Sequence, residues 1–119
     1  MKGGAVWGFG MASLERHVYD PQNGLPANVG YHQCGIPTYF DGPLTMQTGA
    51  VDLPDPQSPF GARGIGEPAM GCAVAAVTSA IADALGGHIF NRTPISADMI
   101  VNHIAGRPQS FKPLQTNNF

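Results

Sequence analysis

Residues 58–68 read Ser-Pro-Phe-Gly-Ala-Arg-Gly-Ile-Gly-Glu-Pro, and the apolar run Ala69 to Leu85 follows at once. Gly61, Gly64 and Gly66 mark a backbone that turns through conformations closed to other residues or comes close to another group. Pro68 suits the first turn of a helix, where its missing N–H costs nothing. Glu67 therefore stands where a tight loop becomes a helix. A helix N-terminus offers unpaired N–H groups and a positive dipole end, so such a loop binds an anion or steadies a carboxylate. Held there at the end of a buried element, and partly desolvated, Glu67 has the setting of a general acid or base.

Residue types alone leave a simpler account open, a glycine turn capped by an acidic residue, because single Gly-rich patterns are weak signals. Two nucleotide motifs are excluded. No Gly-Lys-Ser or Gly-Lys-Thr follows, and the spacing Gly61, Gly64, Gly66 differs from the dinucleotide fingerprint.

The run PFGARGIGEPAM, with VDLPDPQSPFGARG leading into it and AAVTSAIADALGG after it, resembles the C-terminal part of the molybdenum-cofactor-binding subunit of the xanthine dehydrogenase and aldehyde oxidase family. Upstream, GGAVWGFGMASLERHVYD resembles that family's glycine-spaced helix leading to an acidic residue and a strand. YHQCGIPTYFDGP resembles its Tyr-x-x-x-x-Ile-Pro-Thr segment. The likeness runs in order from residue 3 to about residue 105. A glutamine that the family places just before Gly3 is missing, since Met1 and Lys2 stand there.

The resemblance implies a molybdenum hydroxylase, oxidising an aldehyde or an N-heterocycle with oxygen from water. Glu67 falls on the family's active-site base, and Gly64, Ile65 and Gly66 fall on the wall beside the cofactor. The implied cofactor is molybdopterin, for which the cytosine dinucleotide form is among those allowed, and no residue of this chain is expected to ligate the metal. Iron–sulfur clusters and FAD are expected in other subunits, because Cys34 and Cys72 lack the spacing of a cluster ligand set. The family's subunit is several times longer, so a larger molybdenum-binding chain is an expected partner, together with iron–sulfur and flavin subunits and a small-molecule substrate. The alternative is a non-catalytic assembly subunit or an inactive remnant. A remnant, however, has no need to keep Glu67 between its glycines.

Composition bounds the rest. The chain has 119 residues, 43% hydrophobic, with 16 glycines and 11 prolines, and only 12% charged. The usual charged share is about a quarter, so much of the surface is expected to face protein rather than water. A net charge of -2 argues against nucleic acid or an anionic membrane as partner. Four scattered histidines form no zinc signature, and His32-x-Cys34 offers too few ligands for a metal. The run from Lys2 to Leu14 superficially resembles a signal peptide. No Ala-x-Ala site follows and Glu15-Arg16 interrupts it, which favours a cytoplasmic protein.

The elements that position Glu67 can be placed in order, and they predict an α+β fold, which the resemblance implies is a partial molybdenum-cofactor-binding domain. Two to three helices pack on short strands in a loop-rich chain. Residues 3–14 read as a helix with Gly4, Gly8 and Ala12 on one side. Each glycine weakens a helix by about 1 kcal/mol relative to alanine, so close packing must compensate. Glu15 to Tyr19 reads as a short strand closed by the turn Asp20 to Gly24. Residues 25–43 read as loop anchored by Tyr31, Tyr39 and Phe40, and Leu44 to Leu53 alternates as a strand that proline then ends. The helix after Pro68, apolar nearly all round, should be buried, with Cys72 a small core residue. Gly86-Gly87 stop it, and His88 to Phe90 makes a brief strand. Ser96 caps a last helix that turns Met99, Ile100, His103 and Ile104 inward and stops at Gly106. The resemblance implies that residues 1–106 are the C-terminal segment of a molybdopterin-binding domain, and 107–119 read as a tail that is disordered or docked along a partner.

Overall fold

The computed structural model describes residues 1–111, in which four α-helices form: α1 Lys2–Ser13, α2 Tyr31–Cys34, α3 Gly66–Ala84 and α4 Ala97–Ile104. A single 3-10 turn covers Tyr39–Asp41. Most of the tail expected from residue 107 onward lies outside the described residues.

Helix α1 lies along α3, and its glycines explain how closely. A Cβ on Gly8 would stand 2.4 Å from the Met70 carbonyl oxygen and 2.6 Å from the Ala73 Cβ. A Cβ on Gly4 would stand 2.6 Å from the Gly66 carbonyl oxygen and 3.0 Å from the Ala69 Cβ. Backbone therefore meets backbone. The dispersion contacts of that approach offset the helix propensity the glycines give up, as the small-residue face predicted.

A second, smaller cluster ties the far end of α1 to α4. Ala12, Ile95 and Met99 are buried, and the Ile95 N–H donates to the Ala12 carbonyl at 2.7 Å. Helix α4 begins at Ala97 with Ser96 as its N-cap residue. The Ser96 hydroxyl bonds to the Asp98 carboxylate rather than to a backbone N–H. Ser110 donates to the same carboxylate at 2.8 Å. These two hydroxyls, Ser96 first, hold the Asp98 carboxyl below its ordinary range. At the other end of α3, Gly86 and Gly87 take φ of 69° and 93°, and the Gly87 N–H donates to the Ala82 carbonyl at 2.8 Å. This is the expected glycine stop.

The helices and the loop-rich character match the expectation, but the short strands do not form among the described residues. Glu15 to Tyr19 yields one antiparallel bridge, Tyr19 to Pro26, over a turn in which Asp20 accepts from the Gln22 N–H and the Asn23 amide. Residues 44–53 make no ladder and carry no regular structure. At residues 88–90, aromatic stacking replaces strand pairing: His88 stacks on His103 at 3.8 Å between ring centroids, with Phe90 edge-on to His88 at 4.6 Å. A strand needs a neighbour to accept its hydrogen bonds, and here the described chain supplies only the Tyr19–Pro26 bridge.

Burial corrects four further expectations. No residue of α3 is fully buried, and Gly71, Cys72, Ala75, Ala76, Ser79 and Ala80 are exposed. With α1 covering one side, Cys72 lies on the open side rather than in a core. Tyr31, Tyr39 and Phe40 stand out from the loop instead of anchoring it, and on α4 Ile104 is exposed while His103 and Ile100 are half-buried. Nearby, Glu67 is exposed, not desolvated. The chain's accessible surface of 9639 Å² exceeds the roughly 6,200 Å² of a compact monomer of this size. Apolar side chains outnumber the partners this chain can give them.

Candidate functional site

The site is built from a closed loop, a glycine pair and a helical first turn. Gly61 takes φ of 69°, and its carbonyl accepts from the Asp55 N–H at 3.0 Å. Within that ring the Ser58 N–H donates to the Asp55 carbonyl and the Gly61 N–H to the Ser58 carbonyl, both at 3.1 Å. The Asp55 carboxylate accepts from the Gln57 N–H at 2.9 Å and pairs with the Arg63 guanidinium. Arg63 first, then the Gln57 N–H, holds the Asp55 carboxyl below its ordinary range. Residues 55–63 thus form a small closed loop of their own, which hands the chain to Gly64.

Gly64, Ile65, Gly66 and Glu67 follow without a break. Ile65 is the N-cap residue of α3, Glu67 lies in the first turn, and Pro68 follows it there. A carboxylate in that position is favoured by the positive end of the helix dipole. All four residues are exposed, and no described residue hydrogen-bonds the Glu67 carboxylate. Behind them, Gly4 abuts the Gly66 carbonyl, so α1 braces the turn that presents Glu67.

The glycines fall into two kinds. Gly4, Gly8 and Gly61 are required by close approach or by positive φ. By contrast, a Cβ on Gly64 or Gly66 would meet nothing within 4 Å, and neither has a positive φ. Nothing within the described chain needs a glycine at 64 or 66. The backbone there is bare and open, with room for a group that comes close to it from outside.

Two hollows in the described chain are lined by residues other than 64–67. A groove of about 1030 Å³ runs past Glu15, Arg16, Tyr19, Arg92 and Asp98, and an apolar hollow of about 260 Å³ lies among Phe9, Met46, Ala73 and Val77. No group of three or more potential metal ligands gathers among the described residues. The sequence reading missed the Asp55–Arg63 pair. Its signal is Asp-Pro-Gln followed by a glycine and a cation, the pattern of an aspartate that caps its own turn.

No family model matches the chain. Of curated proteins, a 6-hydroxypseudooxynicotine dehydrogenase complex subunit gamma from Paenarthrobacter nicotinovorans is 31% identical over 105 residues, covering 87% of this chain and 13% of that protein. A putative xanthine dehydrogenase molybdenum-binding subunit of Escherichia coli K12 is 30% identical over 106 residues, covering 87% of this chain and 14% of that protein. Among solved structures, quinoline 2-oxidoreductase from Pseudomonas putida 86 aligns with a TM-score of 0.76 at 33% identity, over 90% of this chain and 14% of that one. Its likeness is to the C-terminal part of the molybdenum-binding subunit in the xanthine dehydrogenase family. The chain spans about one-seventh of the length of the curated relatives it matches. Among the described residues, no helix is long and apolar enough to cross a membrane.

Proposed function

We propose that this chain is the C-terminal portion of a molybdenum hydroxylase that oxidises an aldehyde or N-heterocycle, with Glu67 as its active-site base. The observation that carries the reading is the contrast among the glycines: those at 64 and 66 are unused by the described chain and lie directly before an unpartnered carboxylate. Gly64, Ile65 and Gly66 wall the cofactor side. The molybdenum cofactor, when bound, supplies the two-electron oxidant that turns a C–H bond into C–O with oxygen from water.

Each residue has a task that follows from its setting. The bare backbone of Gly64 and Gly66 admits the cofactor at short range, and Ile65, half-exposed at 51%, gives that wall an apolar side chain. Glu67 accepts the proton that the oxygen nucleophile loses. The backing of α1 and of the 55–63 loop holds the backbone turn from which its carboxylate extends, since base catalysis depends on position before proton affinity. Covering by the rest of the enzyme would shield Glu67 from bulk water. A larger molybdenum-binding chain supplies that cover, and iron–sulfur and flavin subunits carry electrons away.

The test uses the native complex purified through a tag on this chain. Molybdenum, pterin and a larger subunit are expected to co-purify. Glu67→Gln should then leave metal content and assembly unchanged while lowering kcat about 10²- to 10⁴-fold, the range of a lost general base. Near-normal turnover in that variant would sink the catalytic role and leave an assembly subunit.

A further inference from the structure

Residues 44–53 have the alternation of a strand and the bonding of none. Leu44 to Val51 alternates Leu44, Met46, Thr48 and Ala50 with Thr45, Gln47, Gly49 and Val51. Yet from Gly42 to Pro54 no backbone N–H or carbonyl bonds to any described residue, nor does a side chain from that span. Pro43 and Pro54 bound it on either side. Its apolar residues Leu44, Val51 and Leu53 are 106%, 84% and 78% exposed. Only its middle is held, where Met46, Gln47 and Thr48 border the apolar hollow beside Phe9, Ala73 and Val77.

We propose that residues 44–53 become a β-strand by pairing with a sheet edge of the larger molybdenum-binding chain, and that this pairing fixes the loop carrying Glu67. The proposal rests on the reading of the chain as part of a molybdenum hydroxylase. Its occupant is chosen on three grounds. Backbone groups that leave water without a partner are costly, so a covered segment must be paired. Asp52 is the only charge in the segment, so nothing in it guards a free edge against pairing. The exposed apolar side chains also run on in sequence from Val51 and Leu53 through Phe60 to Ile65, so the surface that needs cover ends at the proposed cofactor wall. Added-strand recognition of this kind draws affinity from main-chain bonds and specificity from alternate side-chain pockets.

Placement gives the pairing a consequence. Pro54 touches the ring of residues 55–61, as a Cβ on Gly61 would stand 3.0 Å from the Pro54 Cβ. A strand locked at 44–53 therefore locks the base of the loop that ends in Glu67.

Site-resolved hydrogen exchange on the tagged complex, with its molybdenum content measured, tests this. Amides within 44–53 are expected to exchange in the complex on the order of tenfold or more slowly than in the free 119-residue chain, the scale of one backbone hydrogen bond. Adjacent residues of a strand point their N–H groups to opposite edges. Of Gln47→Pro and Thr48→Pro, at least one must therefore lower recovery of the larger chain by about tenfold or more, with Thr48→Ala as the neutral control. A molybdenum-containing complex in which 44–53 exchanges as fast as in the free chain, or in which both proline variants assemble normally, overturns the pairing while leaving the enzyme reading intact. Concentration-dependent protection in the free chain assigns the edge to a second copy and overturns it too. Isolation of the chain without a molybdenum-binding partner removes the enzyme reading, and this inference with it.

Discussion

The two sides of the Gly66 carbonyl make different demands on the same residue type. On one side, Gly4 and Gly8 of α1 are filled from within: α3 occupies the volume a side chain would need, at 2.4 to 2.6 Å. On the other, Gly64 and Gly66 face open space. Gly3, Gly49 and Gly71 are likewise unrequired by the chain's own packing, so it is the position of Gly64 and Gly66 directly before Glu67 that sets this pair apart. The first pair makes a scaffold, and the second keeps a surface bare. Glu67 lies at the join, one residue past the open pair and one turn from the packed one.

The sharpest way to break that contrast is to add side chains to each pair. Gly8→Val should cost about 2–3 kcal/mol through overpacking, read as a lowered urea midpoint of the helical circular dichroism of the full chain. The Met70 carbonyl cannot move without shifting α3, so a tolerated valine would mean that the helices do not meet this closely. Gly4→Ala should cost less, about 1–2 kcal/mol, because its nearest obstacle lies at the frayed start of α3 and alanine regains up to about 1 kcal/mol of helix propensity.

Gly66→Ala and Gly64→Ala should do the reverse. Folding stability should stay within about 0.5 kcal/mol of the parent, since a Cβ meets nothing at either position. Molybdenum content and turnover of the assembled enzyme should fall by about tenfold, the effect of a displacement near 1.4 kcal/mol at a close contact. If both variants load and turn over normally, the open glycines hold no room for a cofactor and the assignment of the wall fails.

How much of this could be read from the chain depended on whether the cause was local. The helix at 3–14, its small-residue face, the glycine stop at 86–87 and the Asp20 turn all follow from short-range rules, and all are present. Strands 44–53 and 88–90 were read from alternation and composition, which report suitability for a ladder and not the presence of a neighbour. The same gap explains α3. Its apolar surface reports suitability for burial and not the presence of a covering neighbour, and Cys72 and Ala76 are exposed here. Glu67 and its glycines were legible as a loop-to-helix carboxylate. The Asp55–Arg63 brace was not: Asp-Pro-Gln marks an aspartate that caps its own turn, a signal too common to single out Arg63 as its partner.

That brace gives the smallest expected effect and the finest test of the contrast, since it steadies the open side alone. The folded Asp55 carboxyl titrates below its ordinary range because of Arg63 and the Gln57 N–H. A depressed carboxyl stabilises the folded loop above the unfolded value of about 3.9, and that contribution is lost as pH falls from there through the folded value. Between pH 7 and pH 5 the loop should therefore be indifferent to pH, and below about pH 4 it should loosen. Arg63→Ala should flatten that acid limb, read as exchange of the Gly61 and Ser58 amides, while leaving the α1–α3 amides untouched. Equal acid loosening in parent and variant would place the cause elsewhere, in the carboxyls held by Thr38 or Ser96. The loop before Glu67 would then be set by its backbone bonds alone.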